Sequence, residues 1–159
     1  MGNLGNAWRD LGEPARARDL IQRALTIEER EYGPDHVELA RTLNNLAAAW
    51  YELGEPAKAR DLHQRALTLQ EREYGPDHPE LARTMGSLGT VLLGLGEPAK
   101  ARDLIQLALT IERRHYPDGH PVTMTLITMP RRAAPDLVVL HDGSVLTEPE
   151  TQRGKQAPP

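Results

Sequence analysis

Apolar residues recur in steps of three and four along most of this chain, and between residues 35 and 74 they form two stripes. In the first, Leu39, Leu43, Leu46, Trp50 and Leu53 are spaced by four, three, four and three positions. At roughly 100° per residue this puts all five on one side of a helix. In the second, Ala59, Leu62, Ala66 and Leu69 form the buried side of a helix opening at Pro56. Gly54 between them can take the positive φ that closes a helix, and Pro56 suits a first turn because it has no N–H to leave unpaired. Asp35 followed three residues later by Glu38 reads as a capping box, which places the first helix start near His36. Gly75-Pro76 stops the second helix. The unit is a helical hairpin, with alanine at 59 and 66 allowing close approach of its two arms. Asp61 and Arg65 are spaced as an i,i+4 pair.

The hairpin repeats. Gly-Glu-Pro occurs at residues 12–14, 54–56 and 96–98, a period of 42 residues, and a fixed period of this size marks a solenoid. Period and caps together predict helices over 4–11, 14–32, 36–53, 56–74, 78–94 and 98–115. They divide residues 1–129 into a truncated first repeat 1–34, a second 35–76, a third 77–118 and the start of a fourth, 119–129. Val122 replaces the capping glutamate there, and Pro130 ends the pattern. Residues 130–159 form an irregular, largely disordered tail. Within it Leu137–Leu140 and Val145–Thr147 flank Asp142-Gly143, the signal for a short hairpin over 137–147, and 148–159 are expected to be disordered. At the other end the first helix begins mid-unit, so Leu4, Ala7, Trp8 and Leu11 lack a preceding repeat. The expectation is a fragment of a longer protein, or an end covered by a partner or by self-association.

These residues resemble a known family, the tetratricopeptide repeat, whose pattern is W-x2-L-G-x2-Y and then A-x3-F. The second repeat reads Leu43-x2-Leu46-Ala47-x2-Trp50 and then Ala59-x3-His63. The flanking repeats carry Leu4-Gly5 and Leu88-Gly89, with Ala17-x3-Ile21 and Ala101-x3-Ile105. His63 is the departure, and a polar ring there suggests a locally weaker contact between repeats. The long repeat, with Gly33-Pro34-Asp35-His36, Gly75-Pro76-Asp77-His78-Pro79 and Thr42-Leu43-Asn44-Asn45-Leu46-Ala47, is similar to the kinesin light chain branch. The resemblance covers residues 2 to about 128. It implies an all-α, right-handed α-α superhelix of antiparallel helix pairs.

Composition adds exclusions. A chain with no phenylalanine would make a poor single core, but each repeat of a solenoid need only bury itself against its neighbours. A net charge of −4 with both signs mixed gives no basic footprint for nucleic acid. No apolar run is long enough for a bilayer and no signal peptide is visible, so no membrane contact and a cytoplasmic location are expected. The absence of cysteine removes disulfide and thiol chemistry.

No catalytic, cofactor or metal residue is predicted. His36, His78 and His120 recur once per repeat, but equivalent positions in stacked helices sit about 8–10 Å apart or more, too far for one zinc ion at about 2.0–2.1 Å from each nitrogen. No phosphate-binding glycine motif occurs, and Gly94-Leu95-Gly96 is a helix end without the strand a dinucleotide site needs. Glu28, Glu29, Glu71, Glu73 and Glu112 read as a solvated helix face, and His141-Asp142 as part of a turn.

One surface is left for function. Opposite the apolar stripe, helical angles bring Arg41, Asn44, Ala48, Tyr51 and Glu52 together. The third repeat contributes Arg83, Gly86, Thr90, Leu93 and Gly94, and the first Asn6, Arg9 and Asp10. The family resemblance implies that this face lines a concave groove for a peptide or protein segment. Arg41 and Arg83, one repeat apart, suit carboxylates of an extended acidic peptide, Asn44 suits its backbone, and Glu52 and Asp10 would repel acid at one edge. The function expected is a non-catalytic protein-interaction module. The alternative is the sensor portion of a larger nucleotide-switched regulator.

Overall fold

The computed structural model describes residues 7–116, together with two short strands further along the chain. Residues 7–10 are helical (α1). They are followed by α2 (Pro14–Tyr32), α3 (Leu39–Glu52), α4 (Pro56–Tyr74), α5 (Pro79–Gly94) and α6 (Pro98–His115). Strands β1 (Leu137–Val139) and β2 (Val145–Thr147) pair antiparallel with Leu137 opposite Thr147. Residues 4–6 of the predicted helix 4–11, the fourth repeat at 119–129, His120, the Asp142-Gly143 turn and the tail at 148–159 lie outside the described residues, and Leu11 is in the turn after α1.

Each helix packs on its sequence neighbours, α3 against α2 and α4, α5 against α4 and α6. The core is accordingly a strip. One cluster joins Ile21 and Leu25 to Leu39, Leu43 and Leu46, and another joins Leu81, Met85 and Leu88 to Ile105 and Leu109. Ala17, Ala59 and Ala101 are fully buried one period apart, as close packing of the two arms requires. This is an all-α solenoid.

The hairpin turn repeats atom for atom. Gly54 sits at φ 78°, its N–H bonded to Tyr51 O at 3.0 Å, and Glu55 N–H reaches Trp50 O at 2.9 Å. That pairing satisfies carbonyls left open at the helix end and needs the left-handed conformation glycine allows.

The joint between repeats differs from the expected capping box. α3 begins at Leu39 rather than near His36, and no side chain of Asp35 caps it. The histidine does that work instead. His36 Nδ1 accepts from Glu38 N–H at 3.3 Å and His78 Nδ1 from Glu80 N–H at 3.2 Å. Each ring also stacks on the tyrosine ending the preceding helix, Tyr32 at 5.3 Å and Tyr74 at 4.6 Å between centroids. Arginines of the following arm hold the same joint: Arg65 donates to Pro34 O at 2.7 Å, and Arg72 to Asp35 O. Arg65 therefore does not pair with Asp61. It meets Glu29 of the preceding repeat at 2.8 Å, while Asp61 takes Arg60.

Candidate functional site

Because α3 and α5 turn equivalent faces the same way, the residues opposite their buried stripes line a common groove of about 450 Å³. Arg9, Arg41, Asn44, Ala48, Tyr51, Arg83 and Thr90 all border it. Asn6 lies outside the described residues. Leu93 does not border the groove; it is half-buried and packs on the apolar cluster around α5 and α6. Glu52 stands at the edge, where Arg9 Nε and Nη2 donate to its Oε1 at 3.0 and 2.7 Å. The repulsion expected from Glu52 is thus largely cancelled by Arg9.

The groove wall contains three guanidiniums and no carboxylate. Arg83 has a partner in Glu80 at 3.3 Å, an exposed pair of small worth. Arg41 is exposed and has no carboxylate within ion-pair distance among the described residues. Tyr51 is held in place from behind, since a Cβ added to Gly94 would lie 3.2 Å from its ring. Thr90 donates its hydroxyl to Gly86 O at 3.2 Å and so presents oxygen lone pairs.

Asn44 is engaged. Its Nδ2 donates to Thr84 Oγ1 at 2.8 Å, and its Oδ1 lies 2.8 Å from Nδ1 of His63. An amide oxygen only accepts, so this contact requires the Nδ1–H tautomer of the histidine. His63 is 3 % exposed, and burial pushes its pKa down to about 4. The weak spot expected at His63 is therefore a two-bond chain running from α4 through α3 to α5, which ties the second repeat to the third.

Asn45, Ser87, Val91 and His63 also border the groove, and sequence reasoning missed them. Asn45 and Ser87 are equivalent positions, each polar, so superposing the repeats carried the signal. Beyond Arg41 and Arg83 lies a second notch of about 280 Å³, bordered also by Val37, Ala40, Tyr74, Gln70 and the carboxylate residues Glu38 and Glu80. Gln70 is 3 % exposed and its carboxamide oxygen has no donor among the described residues. Among the described residues no group of three or more His, Asp or Glu side chains could hold a metal ion. None of the described helices is long and apolar enough to cross a membrane.

Residues 1–72 and 47–114 match the family described as Tetratricopeptide repeat. No curated protein matches the chain. Among solved structures, a Podosopora anserina protein described as a kinesin light chain with nearly identical TPR-like repeats superposes with a TM-score of 0.74 at 18 % identity, covering 83 % of this chain and 62 % of that one. BtubC (BKLC) from P. vanneervenii superposes with a TM-score of 0.65 at 27 % identity, covering 76 % of this chain and 48 % of that one. The chain thus spans less than two thirds of the first and about half of the second.

Proposed function

We propose a peptide-binding function from one premise: this chain belongs to the tetratricopeptide repeat family. Its repeats and its kinesin light chain-like neighbours support a protein–protein interaction scaffold. The finer reading is that the groove between α3 and α5 holds an extended acidic segment of another protein, without catalysis. The observation that carries it is the groove wall itself, with three guanidiniums and no carboxylate.

In this reading Arg41 is the leading contact, because it is exposed and uncommitted, and Arg83 assists after giving up a weak pair with Glu80. Asn44 does not meet the peptide backbone, because its amide is spent on His63 and Thr84. Thr90 offers a hydroxyl acceptor on the groove wall. Cytoplasmic location belongs to the same proposal. So does self-association through the first repeat, which the 72 % exposure of Leu11 favours.

Fluorescence anisotropy with a short glutamate-rich peptide and its lysine-rich counterpart tests the reading. The acidic peptide is expected to bind more tightly at low salt. Equal binding of the two, or a preference for the basic one, contradicts it.

A further inference from the structure

The third repeat departs from the second at a packed position: one period after Trp50 the chain carries Leu92. Two cations lie over the Trp50 ring, the guanidinium of Arg18 at 5.1 Å and Lys58 Nζ at 4.2 Å from its centroid. Each is also held by a carboxylate, Arg18 by Asp19 and Lys58 by Glu55. The same pairs recur one period later as Arg60 with Asp61 and Lys100 with Glu97. The ring they would cover is missing. In its place is a cavity of about 450 Å³ walled by Leu88, Leu92 and Leu104, with Arg60 and Lys100 at its border beside the carboxylate residues Glu97 and Asp103. It shares no residue with the groove between α3 and α5.

We propose that this cavity is a docking site for a tryptophan side chain of a partner protein, seated as Trp50 is seated in the preceding repeat. The chemistry is complementary on both counts. Leucines supply apolar walls for the indole body, and two cations supply partners for the negative face of its π system. Both cations are already oriented by their carboxylates, and the pairing of Lys58 with Glu55 at 3.6 Å coexists with its place over Trp50. The occupant comes from outside these 159 residues, since every tryptophan and tyrosine lies between Trp8 and Tyr116 and there is no phenylalanine. Tyr32 and Tyr74 are stacked on histidines, Trp8 lies under Arg16, Trp50 is covered by its two cations, Tyr51 lies against Gly94, and Tyr116 ends α6 roughly three turns beyond Leu104.

Methyl-detected NMR of the full chain titrated with N-acetyl-tryptophanamide tests this. Shifts are expected at the methyls of Leu88, Leu92 and Leu104, with N-acetyl-leucinamide giving none. Leu92→Trp restores the pattern of the second repeat, so it is expected to raise the thermal midpoint and abolish those shifts. Lys100→Gln, an exposed change that leaves the fold intact, is expected to weaken the probe by roughly two- to five-fold. Shifts confined to the groove, equal response in Leu92→Trp, or no response at all would overturn the proposal. So would Leu92 signals that move with protein concentration in the absence of probe, since a second copy would then fill the cavity.

Discussion

His63 Nδ1 and Asn44 Oδ1 lie 2.8 Å apart, and neither residue recurs in the flanking repeats. Where His63 stands, the first and third repeats carry Ile21 and Ile105. Where Asn44 stands, they carry Gly2 and Gly86. The two changes belong together, because a buried imidazole without a partner would cost the desolvation of its N–H, and the amide across the helix pair removes that cost.

This pair makes stability pH-dependent in a defined direction. The unfolded histidine takes a proton near pH 6.5, whereas burial holds the folded ring neutral until about 4. Between these values the unfolded chain binds more protons, so stability falls as pH is lowered from 6.5 to 4 and is unaffected by this group above 6.5. The shift corresponds to about 3 kcal/mol at the acid end. Urea unfolding at pH 7 and pH 4 checks it. The parent should lose about that much more than a His63→Ile, Asn44→Gly, Ala47→Gly variant.

The third substitution in that variant follows from Gly89. A Cβ built there would stand 2.7 Å from Cγ1 of Ile105, so isoleucine at this place needs glycine opposite. In the second repeat His63 is accompanied by Ala47. Gly89→Ala is therefore expected to cost roughly 1–3 kcal/mol by overpacking. His63→Ile alone should be destabilising, and Ala47→Gly should recover much of the loss. Thermal melts of the two single variants and the double variant measure the coupling; additive effects would show that the positions do not touch.

Ala59 and Ala66 are fully buried where the two arms of the second repeat approach each other. Replacing either with leucine inserts a branched side chain where a methyl group fits, and a loss of roughly 1–3 kcal/mol is expected. An unchanged urea midpoint would mean that the helices separate there without cost.

The fold was legible because repetition supplies the same message in each period. The Gly-Glu-Pro turn and the tyrosine before Gly-Pro fixed the helix ends, and α2, α4 and α6 run as the period predicts. The start of α3 departs from the sequence pattern because Asp35 and Glu38 satisfy a local capping motif, while the acceptor used is His36, seated by stacking on Tyr32. Arg65 departs from its expected partner for a related reason. Helical spacing offers Asp61 within its own helix, but the chain folds Glu29 and Pro34 within reach. Seven of the groove residues follow from helical angles alone. The commitment of Asn44 to His63 does not, since it depends on two helices meeting, yet the paired absence of both residues from the other repeats was visible in the sequence.

The proposed function has the face shared by α3 and α5 hold an acidic peptide through Arg41 and Arg83. The most direct measurement is a calorimetric titration of one acidic peptide into the parent chain and into an Arg41→Ala, Arg83→Ala double variant, at low and at physiological salt. The double variant is expected to bind roughly ten-fold more weakly or worse. The parent is expected to lose affinity as salt rises, since screening acts over about 8 Å at physiological ionic strength. Equal affinity in the two proteins, or affinity indifferent to salt, would contradict it and leave both arginines as ordinary solvated surface.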